Sequence, residues 1–255
     1  MKVLPRGLLF DKDGTLFDFH LTWPPLLRAL AEDLVKGRED LVSLLLRAIG
    51  HDDEAGRFLP GSIGAAGDTY ELADAWLPYL ESFERDALVV MLDRHFAKEG
   101  PARSVPVTDL AALFSELRER GHVIGIATND VEASALETVE RFGLSPLVDF
   151  VAGYDSGHGP KPGPGMALSF CAVTQLQPSD IAVIGDNAHD FDMGRRAGAG
   201  LHIGVLTGSS GQDDLAPLTD HVIDSVAQLP ALFDRLHRQE SSSNASLSAS
   251  HQRRC

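Results

Sequence analysis

Two aspartates stand two positions apart in Asp11-Lys12-Asp13-Gly14-Thr15, directly after the apolar run Gly7-Leu8-Leu9-Phe10. An aspartate can attack a phosphoryl group as a nucleophile while a second carboxyl nearby passes a proton to the leaving oxygen. Asp11 suits the first role and Asp13 the second. Two anions facing an anionic phosphate repel one another, so such a site calls for a hard cation, and carboxylate oxygens suit Mg²⁺. The same Asp-Gly pair would also make an ordinary solvated turn.

Three further groups of residues bear on that choice. The apolar run Val123-Ile124-Gly125-Ile126-Ala127 ends in Thr128-Asn129-Asp130 before a helical pattern. A hydroxyl and backbone N–H groups at such a junction can hold phosphate oxygens, although Thr and Asn there would equally cap the helix. Lys161 lies in Gly159-Pro160-Lys161-Pro162-Gly163-Pro164-Gly165, a stretch that forms no regular element, in a chain with five lysines among its 22 basic residues. It reads as a placed point charge for a transferring phosphoryl group, or as an exposed loop lysine. Ile181-Ala182-Val183-Ile184-Gly185 is a third apolar run ending in acids, Asp186 and Asp190. A spacing of four across a turn or first helical turn can bring both carboxylates to one side. Asp186 is the natural metal ligand; Asp190 could hold a metal-bound water or the lysine, or serve the helix dipole.

The order of these groups, strand-Asp-x-Asp-Gly-Thr, strand-Thr-Asn, loop lysine, strand-Gly-Asp-x-x-x-Asp, resembles the haloacid dehalogenase superfamily of phosphohydrolases, over about Gly7 to Leu236 with one insertion. The resemblance implies that Asp11 becomes an aspartyl-phosphate and that Asp13 protonates the leaving group and then activates water. It implies that Thr128 and Asn129 bind phosphoryl oxygens and that Lys161 offsets charge. Asp11, Asp186 and Asp190, with the backbone carbonyl of Asp13, would form the Mg²⁺ site. An acid at Asp13 is expected of phosphatases and phosphomutases, and not of members that cleave carbon–halogen bonds or pump ions. The layout looks most like the phosphoglycolate phosphatase group. The implied substrate is a small phosphorylated metabolite, with 2-phosphoglycolate among the candidates.

The elements that must position these residues are legible in the periodicity. Apolar runs at Val123–Ala127, Val148–Ala152, up to Gly185, Leu201–Val205 and His221–Ile223 alternate with helical patterns at Asp109–Arg120, Glu132–Phe142, Met166–Thr174 and Phe191–Ala197. That rhythm predicts βαβ units and a three-layer α/β fold with a parallel, Rossmann-like sheet. Between them, 17–99 reads as helix throughout. Trp23-Pro24-Pro25-Leu26 opens the first helix, with others near Leu41–Ile49, Asp68–Leu80 and Phe83–Phe96 and no strand between. The resemblance makes this insertion a helical cap, so the expected domains are 1–16 with 100–238 as catalytic core, 17–99 as cap and 239–255 as a disordered polar tail. Arg57, in a glycine-rich stretch between cap helices, is either an exposed loop residue or a partner for a substrate carboxylate.

Composition agrees with an enzyme core: 255 residues at 44 % hydrophobic content can bury a substantial interior. The net charge of −15 argues against binding nucleic acid or membranes through a basic surface. No apolar run approaches spanning length, and Met1–Pro5 passes into the first strand without a signal peptide, so the expected location is the cytoplasm. Cys171 reads as a core thiol and Cys255 as a tail residue; His158 and His189 lie near motif residues and could face substrate. Oligomeric state is not legible. The rival readings are a sugar-phosphate mutase, a phosphonate hydrolase using Lys36 or Lys98 from the cap as a Schiff base, and a non-catalytic binding module.

Overall fold

The computed structural model describes residues 4–36, 38–81 and 83–239. Six strands form one parallel sheet: β1 (Gly7–Phe10), β4 (Val123–Ala127), β5 (Phe150–Ala152), β6 (Ile181–Gly185), β7 (Leu201–Val205) and β8 (His221–Ile223), in the order β5-β4-β1-β6-β7-β8. Two further strands, β2 (His51–Asp52) and β3 (Arg57–Phe58), make a separate antiparallel hairpin. β1 and β6 are buried along their whole length, as near-continuous apolar runs in a sheet covered on both faces should be. One face packs against α6 (Leu110–Glu119) and a helical segment over 229–239, through Phe10, Phe114, Ile124, Leu229 and Phe233. The other carries α8 (Gly165–Thr174) and α9 (Ala188–Ala197), with Leu9, Phe170, Val183 and Met193 between them. α7 (Glu132–Arg141) and α10 (Gln212–Leu215) complete the α/β part. The three-layer parallel fold is as the periodicity indicates.

The chain leaves β1 on one side of the sheet for β4 and β5, then returns to the other side for β6, β7 and β8. β1 therefore sits at the switch point, where a crevice opens beyond the carboxyl ends of the strands. Register sharpens this. Phe10 pairs with both Ile126 and Ile184, so Asp11 lies abreast of the ends of β4 and β6, and Thr128 and Asp186 follow within two residues.

The insertion after β1 holds α1 (Phe19–Leu34), α2 (Glu39–Ala48), α3 (Ile63–Ala66), α4 (Thr69–Trp76) and α5 (Arg85–Arg103), whose inner faces share a core around Leu26, Leu45, Trp76 and Leu92. It is not all-helical: the β2–β3 hairpin interrupts it. α1 also begins four residues before Trp23, because the Asp18 carboxylate accepts from Leu21 N and caps it there. Pro24 and Pro25 lie inside the helix and withhold N–H groups from His20 and Leu21, exposed residues whose carbonyls water can serve. α5 runs seven residues beyond Phe96, so the boundary expected at 99/100 lies within a continuous helix. The insertion joins the sheet through two adjacent segments, with Asp18 N donating to Val105 O and Val107 N to Leu16 O.

Among the described residues no helix is long and apolar enough to cross a membrane. The expected tail beyond Gln239, including Cys255, lies outside the described residues. Cys171 is buried in the core beside Phe170, and burial pushes its thiol up, away from reactivity.

Candidate active site

Five carboxylates and two ammonium groups cluster at the carboxyl ends of the parallel strands, the five acids and Lys161 lining the crevice and Lys12 lying behind it. Asp11 and Asp13 extend from β1, Asp186 from β6, and Asp190 from the first turn of α9, where its side chain accepts from Asn187 N in a capping box. Lys161 comes from the loop between β5 and α8. Its Nζ donates to Asp11 Oδ1 at 2.5 Å and to Asp190 Oδ1 at 2.7 Å. Asp11, Asp186 and Asp190 each offer an oxygen within 4.8 Å of the others. The spacing of four in Asp186-x-x-x-Asp190 thus brings both acids together, and Asp190 holds the lysine.

Burial sets the electrostatics. Loss of water lifts the Asp11 carboxyl, Lys161 pulls it down and Asp190 raises it, and the balance leaves it at about 6. Burial likewise lifts Asp186 well above the usual carboxylate range, with Asp11 and Asp190 adding repulsion. Asp13 is raised by burial and by Asp130, with Lys12 opposing. For Lys161, burial alone would depress the ammonium, but Asp11 and Asp190 outweigh it and hold the group charged. Three buried acids made costly by mutual repulsion, all hard oxygen donors, form a set that a divalent cation such as Mg²⁺ fits.

The Asp186 carboxylate is held by groups that side-chain chemistry in the sequence did not reveal. It accepts from Ser209 N at 2.9 Å. A Cβ on Gly208 would fall 1.8 Å from Asp186 Oδ2, and one on Gly14, at φ +89°, would fall 2.7 Å from the same carboxylate. The 207–209 loop is in turn tied down by Thr207 Oγ1 donating to Gly14 O and by His20 against Gly208 O. Backbone donors and glycines carry no acid or base signature, so only the fold shows them.

Lys12 is a second such group. Its ammonium is 1 % exposed and sits 2.7 Å from Asp13 Oδ2 and 2.9 Å from Asp130 Oδ2. Burial would depress it, but the two acids hold it above the ordinary lysine range. Thr128 lines the cavity, and its hydroxyl oxygen accepts from Asp130 N, which leaves its proton to donate. Asn129 also lines it, but its carboxamide is engaged elsewhere. It donates to Lys161 O and Ala66 O and accepts from Lys161 N, clamping the lysine loop and touching the insertion.

Together these residues floor a cavity of about 650 Å³, counted to its mouth, which α1, α4, α5 and the 63–69 segment roof. His189 lines it, with Nδ1 3.3 Å from Ala66 O; His158 does not, and pairs with Ser169. Arg57 is exposed on β3 and does not line the cavity, although the end of its glycine-rich stretch, Ile63 and Gly64, does. Lys36 and Lys98 are exposed and do not line it either.

A family model for haloacid dehalogenase-like hydrolases matches residues 5–198. A plasmid-encoded phosphoglycolate phosphatase of Cupriavidus necator is 27 % identical over 228 residues, covering 89 % of this chain and 92 % of its own. The phosphoglycolate phosphatase of Mesorhizobium japonicum is 26 % identical over 193 residues, covering 75 % and 78 %. Among solved structures, a haloacid dehalogenase-like hydrolase of Bacteroides fragilis matches with a TM-score of 0.69 at 18 % identity, covering 88 % of this chain and 99 % of the other.

Proposed function

The chain belongs to the haloacid dehalogenase-like hydrolases, and from that premise we propose that it is a Mg²⁺-dependent phosphatase acting on a small phosphomonoester through an aspartyl-phosphate. The observation that carries this reading is the Lys161 ammonium bridging Asp11 and Asp190 beside Asp186 at the end of β1. In the proposed reaction an Asp11 oxygen attacks phosphorus, the ester P–O bond breaks, and Asp13 gives its proton to the leaving alkoxide. Asp13 then takes a proton from the water that attacks the acyl phosphate, which frees inorganic phosphate and restores Asp11. Asp11, Asp186 and Asp190 would hold the cation, which when bound offsets their charge and that of the phosphoryl group. Lys161 supports the same charge balance, and the Thr128 hydroxyl and Asn129, both lining the cavity, would bind phosphoryl oxygens. The burial that raises Asp13 suits it to keep a proton for the leaving group.

The insertion acts as the cap over this site in the proposed reading. Ala66 O receives Asn129 Nδ2 at 2.9 Å, a contact that joins the 63–69 segment to the lysine loop and shields the phosphoenzyme from bulk water.

Phosphate release from a panel of phosphomonoesters, with Mg²⁺ and with chelator, tests the reading. The curated relatives named above put 2-phosphoglycolate on that panel. Chelator-sensitive release is the expected result. Isomerisation of a sugar phosphate without release would replace the phosphatase reading with a mutase, and silence on every substrate would leave a binding module.

A further inference from the structure

The roof of the cavity is unlike its floor. α1, α4 and α5 line it with Phe19, Trp23, Leu27, Leu72 and Phe96, and the Trp23 and Phe96 rings meet edge to face at 5.2 Å. The roof also carries Asp68, an acid nine per cent exposed, whose side chain accepts from Glu71 N at the start of α4. Among the described residues that line the cavity, Lys161 is the only lysine or arginine, and its ammonium is taken by Asp11 and Asp190. A leaving group that carried its own carboxylate would be buried against apolar rings and Asp68 with no free lysine or arginine in the lining to meet it, a costly arrangement.

Among the described residues, one polar atom in this wall lacks a hydrogen-bond partner. Trp23 Nε1 is buried without a hydrogen bond, on a ring that lines the cavity. An indole N–H only donates, and a buried donor left unpaired is costly, so an acceptor on a bound molecule would satisfy it. We propose that the cap side of this cavity selects phosphomonoesters whose leaving group is uncharged and largely apolar, with one hydrogen-bond acceptor set against Trp23 Nε1. This inference rests on the phosphatase reading. It sets the chain apart in specificity from its phosphoglycolate phosphatase relatives, whose named substrate carries a carboxylate.

Binding of non-hydrolysable analogues to the full chain with Mg²⁺, measured by calorimetry, tests it. The pair is 3-phosphonopropionate and its methyl carboxylate ester, which share a frame and differ in one charge. The ester should bind at least about tenfold more tightly, and Trp23→Phe should cost the ester about fivefold by removing one N–H donor. Equal or tighter binding of the carboxylate, or no binding of either analogue, overturns the proposal whether or not the variant folds. An ester affinity unchanged in Trp23→Phe overturns the role of the indole N–H. Phosphate release from the matching phosphate esters is scored separately. A preference for the ester in binding, with no release from any ester, overturns the phosphatase reading and leaves the selectivity standing.

Discussion

Asp11 pays for its burial with a carboxyl raised to about 6, and Lys161 returns only part of that cost. Asp11→Asn keeps the shape of the side chain, removes the proposed nucleophile and relieves repulsion with Asp186 and Asp190. Turnover is expected to fall at least about a thousandfold while the melting temperature in chelator does not fall. A variant that loses activity and stability together would move Asp11 from chemistry to structure. Lys12 obeys the opposite logic, because it is the cation that lets Asp13 and Asp130 share a buried space. Lys12→Met strands two facing acids and should cost about 3–5 kcal/mol of folding stability. Adding Asp130→Asn should recover part of that loss. A double-mutant cycle in denaturant measures the coupling, and additive losses would show that the three groups do not act as a unit.

At the scale of elements, the site depends on how closely the 207–209 loop approaches the end of β6. Gly208→Ala would force a methyl into the Asp186 carboxylate. We expect it to weaken Mg²⁺ binding and turnover together by about tenfold or more, read from the Mg²⁺ concentration that gives half-maximal phosphate release. Unchanged Mg²⁺ dependence would mean that the loop yields. This loop also shows which parts of the site a sequence can announce. Asp11, Lys161, Asp186 and Asp190 stand out because apolar runs bounded by acids, or prolines around a lone lysine, are visible residue by residue. The Ser209 N–H has no side-chain signature, and the Lys12–Asp130 pair spans 118 positions. The hairpin at His51–Asp52 and Arg57–Phe58 escaped for a different reason. Two residues per strand are too few to alternate, and His-Asp and Arg-Phe lack the branched residues that mark strands. The parallel sheet was legible because each of its longer strands is a buried apolar run followed by a turn. α1 begins at Phe19 and not at Trp23 because the Asp18 carboxylate caps it there, a signal that lies upstream of the more conspicuous prolines.

For the molecule as a whole, the buried acids couple folding to pH and, in the proposed reading, to Mg²⁺ binding. Asp11 titrates at 3.8 ordinarily and at about 6 in the fold, so the folded chain binds more protons than the unfolded chain between those values. Its contribution to stability is therefore complete below about 3.8 and is lost as pH rises through about 6. The loss is on the order of 3 kcal/mol for this one group, and Asp13 and Asp186 shift in the same direction. Metal-free protein should accordingly lose melting temperature between pH 5 and 7.5. In the proposed reading Mg²⁺ would compete with protons for the same oxygens, so it should stabilise most where those protons have left. At a hundredfold excess over its dissociation constant, a ligand bound only to the folded state contributes about 2.7 kcal/mol. In a chain of this length that is a rise of about 5 °C or more at pH 7.5, shrinking toward nothing at pH 5. Thermal melts across that range, with Mg²⁺ and with chelator, measure both slopes. A Mg²⁺ effect independent of pH would place the cation away from these acids, whereas a pH-dependent rise abolished by Asp186→Asn would tie it to them.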